Sequence, residues 1–278
     1  MTITVHPFYE SSTGSYSYVV ANAGSGCCAI IDAALGVSEC DGGAARFDTH
    51  TADLMWDWIH AHGFTLRYLL ETHVHADRPT ASGYLKSRAM CAQTVIGAGT
   101  PRLMSGGART ACAPGYDRLV NDGDKLCLDR ACLRVISTPG HTPGCVSYQC
   151  DNFVFVGDTL FMPDAGTARC DFPGGCATTL YGSIQKLLAL PDETRLFMCH
   201  DYQPDGRRPR FVTTVAEQRA GNVHVGEQVS GKQFVAKRTA RDATLAEPRW
   251  QTLSIPANLA CADLTALAGN AAFAGLHG

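Results

Sequence analysis

Absences bound this chain before any motif does. No CxxC pair is present, so neither a zinc ribbon nor a thioredoxin-like redox centre is expected. No apolar run approaches the roughly 18 residues that would span a bilayer. The opening stretch MTITVHPFYE has neither a charged leader nor an unbroken apolar segment, and the protein is expected to be soluble, unexported and cytoplasmic. Blocks of like charge are missing too: 23 basic and 26 acidic residues are interspersed, for a formal net charge of −3. That leaves no cationic surface of the kind that nucleic acid or an anionic membrane demands. The run Arg207, Arg208, Arg210 is too short for a binding stripe, and a solvated loop with one structural salt bridge is expected there. Internal repeats and long linkers are absent as well. A chain of 278 residues can bury one large core, so a single domain over residues 1–278 is expected, weakly patterned from about residue 245.

Cysteine, by contrast, is plentiful. Thirteen cysteines do not read as a disulfide framework, because the count is odd, the chain is large and many of them, including Cys132, Cys145 and Cys199, sit in apolar strand-like runs. Mostly reduced thiols acting as small core hydrophobes are expected, Cys199 among them. Strand signals at roughly 15–22 and 27–32 lead to a helix at about 51–62, with Leu54, Met55, Trp58 and Ile59 on one face and Gly63 as its stop. Pro79 suits the first turn of a helix running to about residue 90. Thr178 suits the cap of a third, whose Leu180, Ile184, Leu187 and Leu188 share a face. This alternation predicts α/β layers around a common core.

Four apolar, strand-like runs end in a potential metal ligand: YLLETHVHAD, RVISTPGHTPG, FVFVGDTL and LFMCHDY. Strand ends hold their loops rigidly and release them at one rim of a sheet, where open α/β folds build their sites. His73, His75, Asp77, His141, Asp158 and His200 are therefore expected to converge. His6, His50, His60, His62, His224 and His277 are read as ordinary core or surface histidines. Arg78 closes the first run with a group that has no lone pair for a metal and stays protonated at any ordinary pH.

The run THVHAD, followed by TPGHT, VGDTLF, ARCDFPGG and CHDY, resembles the metallo-β-lactamase superfamily and, within it, the persulfide dioxygenase family, over roughly residues 5–245. The resemblance implies an α/β fold of the αββα sandwich type, two mixed β-sheets packed face to face between helices, with the metal at one edge. In the two-metal hydrolases of the superfamily a histidine stands where this chain has Arg78, and it joins the counterparts of Asp77, Asp158 and His200 around the second ion. A guanidinium there would repel a second dication a few ångströms away by several kcal/mol at an effective dielectric near 20, so one metal is expected. Persulfide dioxygenases also usually carry histidine at this position, though not as an iron ligand. Arg78 is expected to pair with Asp77 or Asp201, either fixing the loop or serving substrate.

By the same resemblance, one Fe(II) per chain is held by His73, His141 and Asp158, a set whose open positions suit oxygen chemistry. Were His75 also bound, three histidines and a carboxylate would make a more zinc-like site for activating water, and spacing does not separate the two. His75 and His200 are placed around the ligands as hydrogen-bonding groups, and Asp77 as the group that fixes a histidine tautomer. The implied reaction is oxidation of glutathione persulfide by O₂ to sulfite and glutathione, in sulfide detoxification. Arg169 is read either as a fork for a substrate carboxylate or as a partner of Asp171, and Tyr202 as a hydroxyl for substrate or a packed loop residue. A glyoxalase II-like thiolester hydrolase and a non-catalytic sulfur-binding relative are the alternatives; a plain β-lactamase is disfavoured by the missing export signal. A homodimer and a sulfurtransferase partner are compatible with the family, and no residue demonstrates either.

Overall fold

The computed structural model describes residues 3–40, 45–100, 115–227 and 229–269. In chain order its strands are β1 (Ile3–Glu10), β2 (Ser15–Asn22), β3 (Cys27–Ile31), β4 (Gly36–Glu39), β5 (Ala45–Asp48), β6 (Thr65–Leu70), β7 (Gln93–Gly97), β8 (Arg118–Val120), β9 (Lys125–Leu128), β10 (Ala131–Ser137), β11 (Val146–Cys150), β12 (Phe153–Phe155), β13 (Arg195–Phe197) and β14 (Val212–Thr214). The described helices are α1 (His50–Ala61), α2 (Ser82–Arg88), α3 (Ala177–Leu188), α4 (Val215–Gly221), α5 (Gly231–Asp242), α6 (Gln251–Leu259) and α7 (Leu264–Gly269). One six-stranded sheet has the order β1-β2-β3-β6-β7-β8, the other β14-β13-β12-β11-β10-β9, and β4-β5 form a separate ribbon. Both large sheets are mixed: β3, β6, β7 and β8 run parallel beside antiparallel β1 and β2, and β12 is parallel to β13 but antiparallel to β11. No described helix is long and apolar enough to cross a membrane.

Strand periodicity explains the layering, because successive side chains point to opposite faces. In β2, Tyr16, Tyr18 and Val20 enter the layer between the sheets, where they meet Tyr148, Phe155 and Phe197 of the second sheet. Val19 and Ala21 point the other way, to Met55 and Ile59 of α1 and Leu85 of α2. The whole strand is thus buried and reads as a continuous apolar run. A bulge opposite Cys28 and Ala29 shifts the alternation of β6, which sends Leu66 and Leu69 to the helical face and Leu70 inward. On the far side, Leu180, Ile184, Leu187 and Leu188 of α3 pack on Val154 and Leu196. The αββα sandwich is the result.

Local details depart from the sequence reading. Leu54 is 45% exposed, and Thr51 and Ala52 join Met55 and Ile59 on the buried face of α1 instead. Pro79 precedes α2, which begins at Ser82; Thr80 is tied to Ala34 by an isolated bridge, which holds that stretch extended. Cys176, not Thr178, stands at the N-cap of α3. Cys132 is not a free core thiol: it lies opposite Cys127 across the β9–β10 hairpin, and the two form a disulfide. Directly opposed residues bring their Cβ atoms within about 5 Å, which a disulfide requires. The other ten described cysteines are free thiols. Within the alanine-rich segment, α6 covers Gln251–Leu259, with Leu253 and Ala257 in the outer core.

Candidate metal centre

All the expected loops leave the sandwich at one rim. His73 follows β6, His141 lies between β10 and β11, Asp158 follows β12 and His200 follows β13. Asp32, directly after β3, joins them. Two glycines make this crowding possible. A Cβ on Gly140 would lie 2.3 Å from the Leu180 backbone, and one on Gly157, whose φ is +53°, would lie 2.5 Å from the Thr72 hydroxyl.

Three groups of potential ligands have donor atoms within 4.8 Å of one another among the described residues: His73, His141 and Asp158; Asp32, Glu71 and His75; and His75, Cys199 and His200. The first opens to a cavity of ≈ 330 Å³. Its His73 Nε2 and His141 Nε2 lie 3.7 and 3.8 Å from Asp158 Oδ2. That is too long for a hydrogen bond and fits an ion about 2.1 Å from each atom. The far nitrogens fix the tautomers. Thr72 Oγ1 donates to Asp32, 2.9 Å to Oδ2, and so accepts from His73 Nδ1 at 2.9 Å. His141 Nδ1 donates to the Arg169 carbonyl at 2.7 Å. Both rings therefore aim an Nε2 lone pair at the Asp158 carboxylate. Burial, then His75, His141, His200 and Arg78, hold His73 well below the usual imidazole range, and burial also lowers His141. Neutral rings are what a metal needs. Asp158 Oδ1, His75 Nδ1 and His200 Nε2 are buried without a hydrogen-bond partner among the described residues. The orphaned carboxylate oxygen of Asp158, next to two nitrogen lone pairs, fits a bound cation.

The second group is already closed. Arg78 is fully buried and donates from Nε to Ser15 Oγ at 2.9 Å, from Nη1 to the Ala33 carbonyl at 3.2 Å and from Nη2 to the Asp32 carbonyl at 3.1 Å. Its Nη2 lies 3.3 Å from His75 Nε2, the nitrogen that also faces Asp32 Oδ1 at 3.3 Å and Glu71 Oε2 at 3.1 Å. The other Glu71 oxygen accepts from Thr80 and Ser82. Burial and the Arg78 charge push the His75 imidazole down, but hydrogen bonds to Asp32 and Glu71 outweigh them and lift it to about 9. The expected pairing of Arg78 with Asp77 or Asp201 is not made. Asp77 Oδ2 lies 3.5 Å from His200 Nε2, and both Asp201 oxygens are taken by Arg207, which also pairs with Asp164. The Arg207 loop thus holds two ion pairs rather than one. The third group contains Cys199, a buried thiol that burial raises well above its usual range.

A residue with no sequence signal braces this loop. Asn258 of α6, buried, donates to the carbonyls of His75 at 2.7 Å and Arg78 at 2.8 Å, and accepts from Thr80 N–H at 2.7 Å. Asp32, too, was visible only as the end of a strand. It holds a positive φ of 52°, which an aspartate tolerates better than most residues.

Residues 13–200 match the model of the metallo-beta-lactamase superfamily. The chain belongs to that superfamily. It is 44% identical to a probable metallo-hydrolase of Burkholderia pseudomallei, over 92% of each chain. It is 41% identical to a glyoxylase B2 of Dictyostelium discoideum, over 94% of this chain and 91% of the relative. Against the human mitochondrial persulfide dioxygenase ETHE1 the identity is 34%, over 72% of this chain and 70% of the relative. The crystal structure of ETHE1 from Myxococcus xanthus superposes with a TM-score of 0.76 at 28% identity, covering 93% of this chain and 99% of that one.

The rim carries a cavity beside the His73, His141 and Asp158 group, and its wall includes Phe161, Phe172, Arg169 and Tyr202. Of the two readings of Arg169, the structure displays the pair: Nε and Nη2 both reach Asp171 at 2.6 Å, and Nη1 donates to the Ala246 carbonyl at 2.7 Å. Tyr202 stacks on His200 with ring centroids 5.9 Å apart and is 61% exposed. Among the histidines set aside, His6, His50, His60 and His62 lie elsewhere; His224 is buried and accepts from Thr167 N–H at 3.0 Å, and His277 lies outside the described residues.

Proposed function

We propose that the protein is a persulfide dioxygenase working at a single non-haem ferrous ion, held by His73, His141 and Asp158, in sulfide detoxification. The observation that carries this reading is Arg78, a buried guanidinium hydrogen-bonded on all three nitrogens beside His75. A fixed cation there disfavours the second dication that a two-metal hydrolase uses. The relatives named persulfide dioxygenase supply the reaction class. For glutathione persulfide it is GSS⁻ + O₂ + H₂O → GSH + SO₃²⁻ + H⁺: the terminal sulfur loses four electrons, dioxygen gains them, and the sulfur–sulfur bond breaks.

The ion would supply a place where dioxygen and the sulfane sulfur meet in an activated form. The chain's own residues do the rest. Asp32, through Thr72, and the Arg169 carbonyl keep His73 and His141 in the tautomers that free Nε2. Phe161 and Phe172 place apolar rings in the cavity wall. Tyr202 lines the same cavity, and its hydroxyl belongs to the class of groups that orient a bound thiol.

One observation favours a second reading, a glutathione thiolester hydrolase. His75, which would complete a zinc-like set, stands outside the His73, His141 and Asp158 group, so the names of the relatives carry this reading. Two of the relatives are named as a hydrolase and a glyoxylase. Oxygen uptake with glutathione persulfide, run beside hydrolysis of lactoylglutathione, decides between them. Oxygen consumption matched by sulfite supports the dioxygenase, and thiolester cleavage without oxygen uptake sinks it.

A further inference from the structure

Among the described residues Arg78 is the largest fully buried side chain. Its hydrogen bonds go to the Ser15 hydroxyl and to the carbonyls of Ala33 and Asp32, and its contact with His75 is to a ring nitrogen, so none of these partners is a carboxylate. The carboxylates of Asp32 and Glu71 reach that same His75 nitrogen instead. A charge with 0% exposure is screened far less by salt than one at the surface. It is also close to the open corner. Arg78 Nη2 lies 3.3 Å from His75 Nε2, and the His75 and His73 ring centroids are 4.2 Å apart. An ion held by His73 would therefore be separated from a permanent positive charge by little more than one imidazole.

We propose that Arg78 tunes the oxidation state of the metal: its fixed charge disfavours the ferric ion, so that iron bound by His73, His141 and Asp158 stays ferrous in the presence of dioxygen. This role rests on the reading of the site as a single non-haem iron, and adds to it a control of valence that is separate from the control of metal count. Dioxygen is the oxidant in question. Transfer of one electron turns Fe(II) and O₂ into Fe(III) and superoxide, and raises the charge held by the three ligands by one. A unit positive charge about 10 Å away, at an effective dielectric near 20, opposes that rise by roughly tenfold. Guanidinium suits the task because it stays protonated at any ordinary pH and offers no lone pair that would recruit it as a ligand. The competing account is purely structural. Arg78 ties the metal loop to Ser15 of β2 and to the backbone after β3, and a brace of that kind acts through its hydrogen bonds, whatever its charge.

Iron-loaded wild type and variants, equilibrated anaerobically with redox mediators at one fixed potential, separate the accounts when the high-spin ferric EPR signal is read against total iron. Arg78→Gln is expected to raise the ferric-to-ferrous ratio about tenfold, which is a midpoint potential lower by about 59 mV for one electron. Arg78→Met, a second neutral variant, should do the same if the glutamine variant fails to fold. Arg78→Lys keeps the charge, and Ser15→Ala removes one bond of the brace while leaving the guanidinium in place; both ratios should stay near that of wild type. An unchanged ratio in a folded neutral variant overturns the assignment, as does a tenfold rise in Arg78→Lys or Ser15→Ala. A wild type that takes up no iron ends both this role and the dioxygenase reading. The expected shift in a protein that consumes no oxygen with glutathione persulfide keeps the tuning role and removes the dioxygenase reading, whereas oxygen consumption without the shift does the reverse.

Discussion

The stretch Glu71–Arg78 supplies two corners of the rim that are completed in opposite ways. At the open corner His73 meets His141 and Asp158 beside a cavity, with nitrogen lone pairs aimed at one carboxylate and no protein donor between them. At the closed corner, His75, Asp32 and Glu71 are just as buried, but the His75 ring, Thr72, Thr80 and Ser82 supply donors to the two carboxylates, and the Arg78 guanidinium lies beside them. Both groups have the ligand types and the proximity that a metal site needs. What separates them is whether the protein has already provided the positive charge. Buried carboxylates must be compensated somehow, and a guanidinium and a metal ion are alternative answers to the same electrostatic problem.

The largest effect expected is at the open corner. His141→Ala should lose iron and oxygen consumption together, by more than the roughly hundredfold that loss of a mere supporting hydrogen bond can cost. Retention of both, measured by elemental analysis and an oxygen electrode, would remove His141 from the ligands. At the closed corner the effect should be on stability instead. Asp32→Ala leaves the buried Arg78 and His75 short of a counter-charge, and a loss of about 3–5 kcal/mol in denaturant unfolding is expected; a loss below about 1 kcal/mol would mean that the corner is not held by its charges. Asn258→Ala removes a bridge between the tail and the loop and leaves the His75 and Arg78 carbonyls and the Thr80 N–H unpaired. About 1–3 kcal/mol is expected for it, with the distinguishing sign that iron affinity falls too.

The corners should also answer pH in opposite senses in the metal-free protein. His73 and His141 have lowered values, so the unfolded chain takes up protons first as pH falls below its own imidazole value near 6.5, and stability is lost on the acid side. His75 is raised to about 9, so its contribution is complete below about 6.5 and is lost as pH rises through 9. The stability difference between wild type and His75→Gln should therefore shrink between pH 7 and pH 9.5; a constant difference would contradict the charged His75.

Much of the open corner was legible because its ligand types sit at strand ends, and strand periodicity is a local property. His73, His141 and Asp158 come from three strands, yet each carries the same mark, an apolar run ending in a donor. The closed corner was harder. The partners of Arg78 are two backbone carbonyls and Ser15, which stands 63 positions away, and carbonyls leave no trace in composition. Asp77 and Asp201 were the plausible acids by charge, but Asp201 is taken by Arg207 and Asp77 faces His200. Asn258 was hidden by an alanine-rich stretch whose helix packs through only a few apolar contacts. The Cys127–Cys132 pair was missed because its apolar surroundings suggested core thiols, whereas its five-residue spacing across a tight turn was the signal that mattered.

Metals counted per chain, in wild type and in Arg78→His purified side by side, test the central claim most directly. A protein whose closed corner is filled by Arg78 should hold one iron, with the variant admitting a second ion. Two metals in the wild type, or one in both, would contradict the role given to that guanidinium.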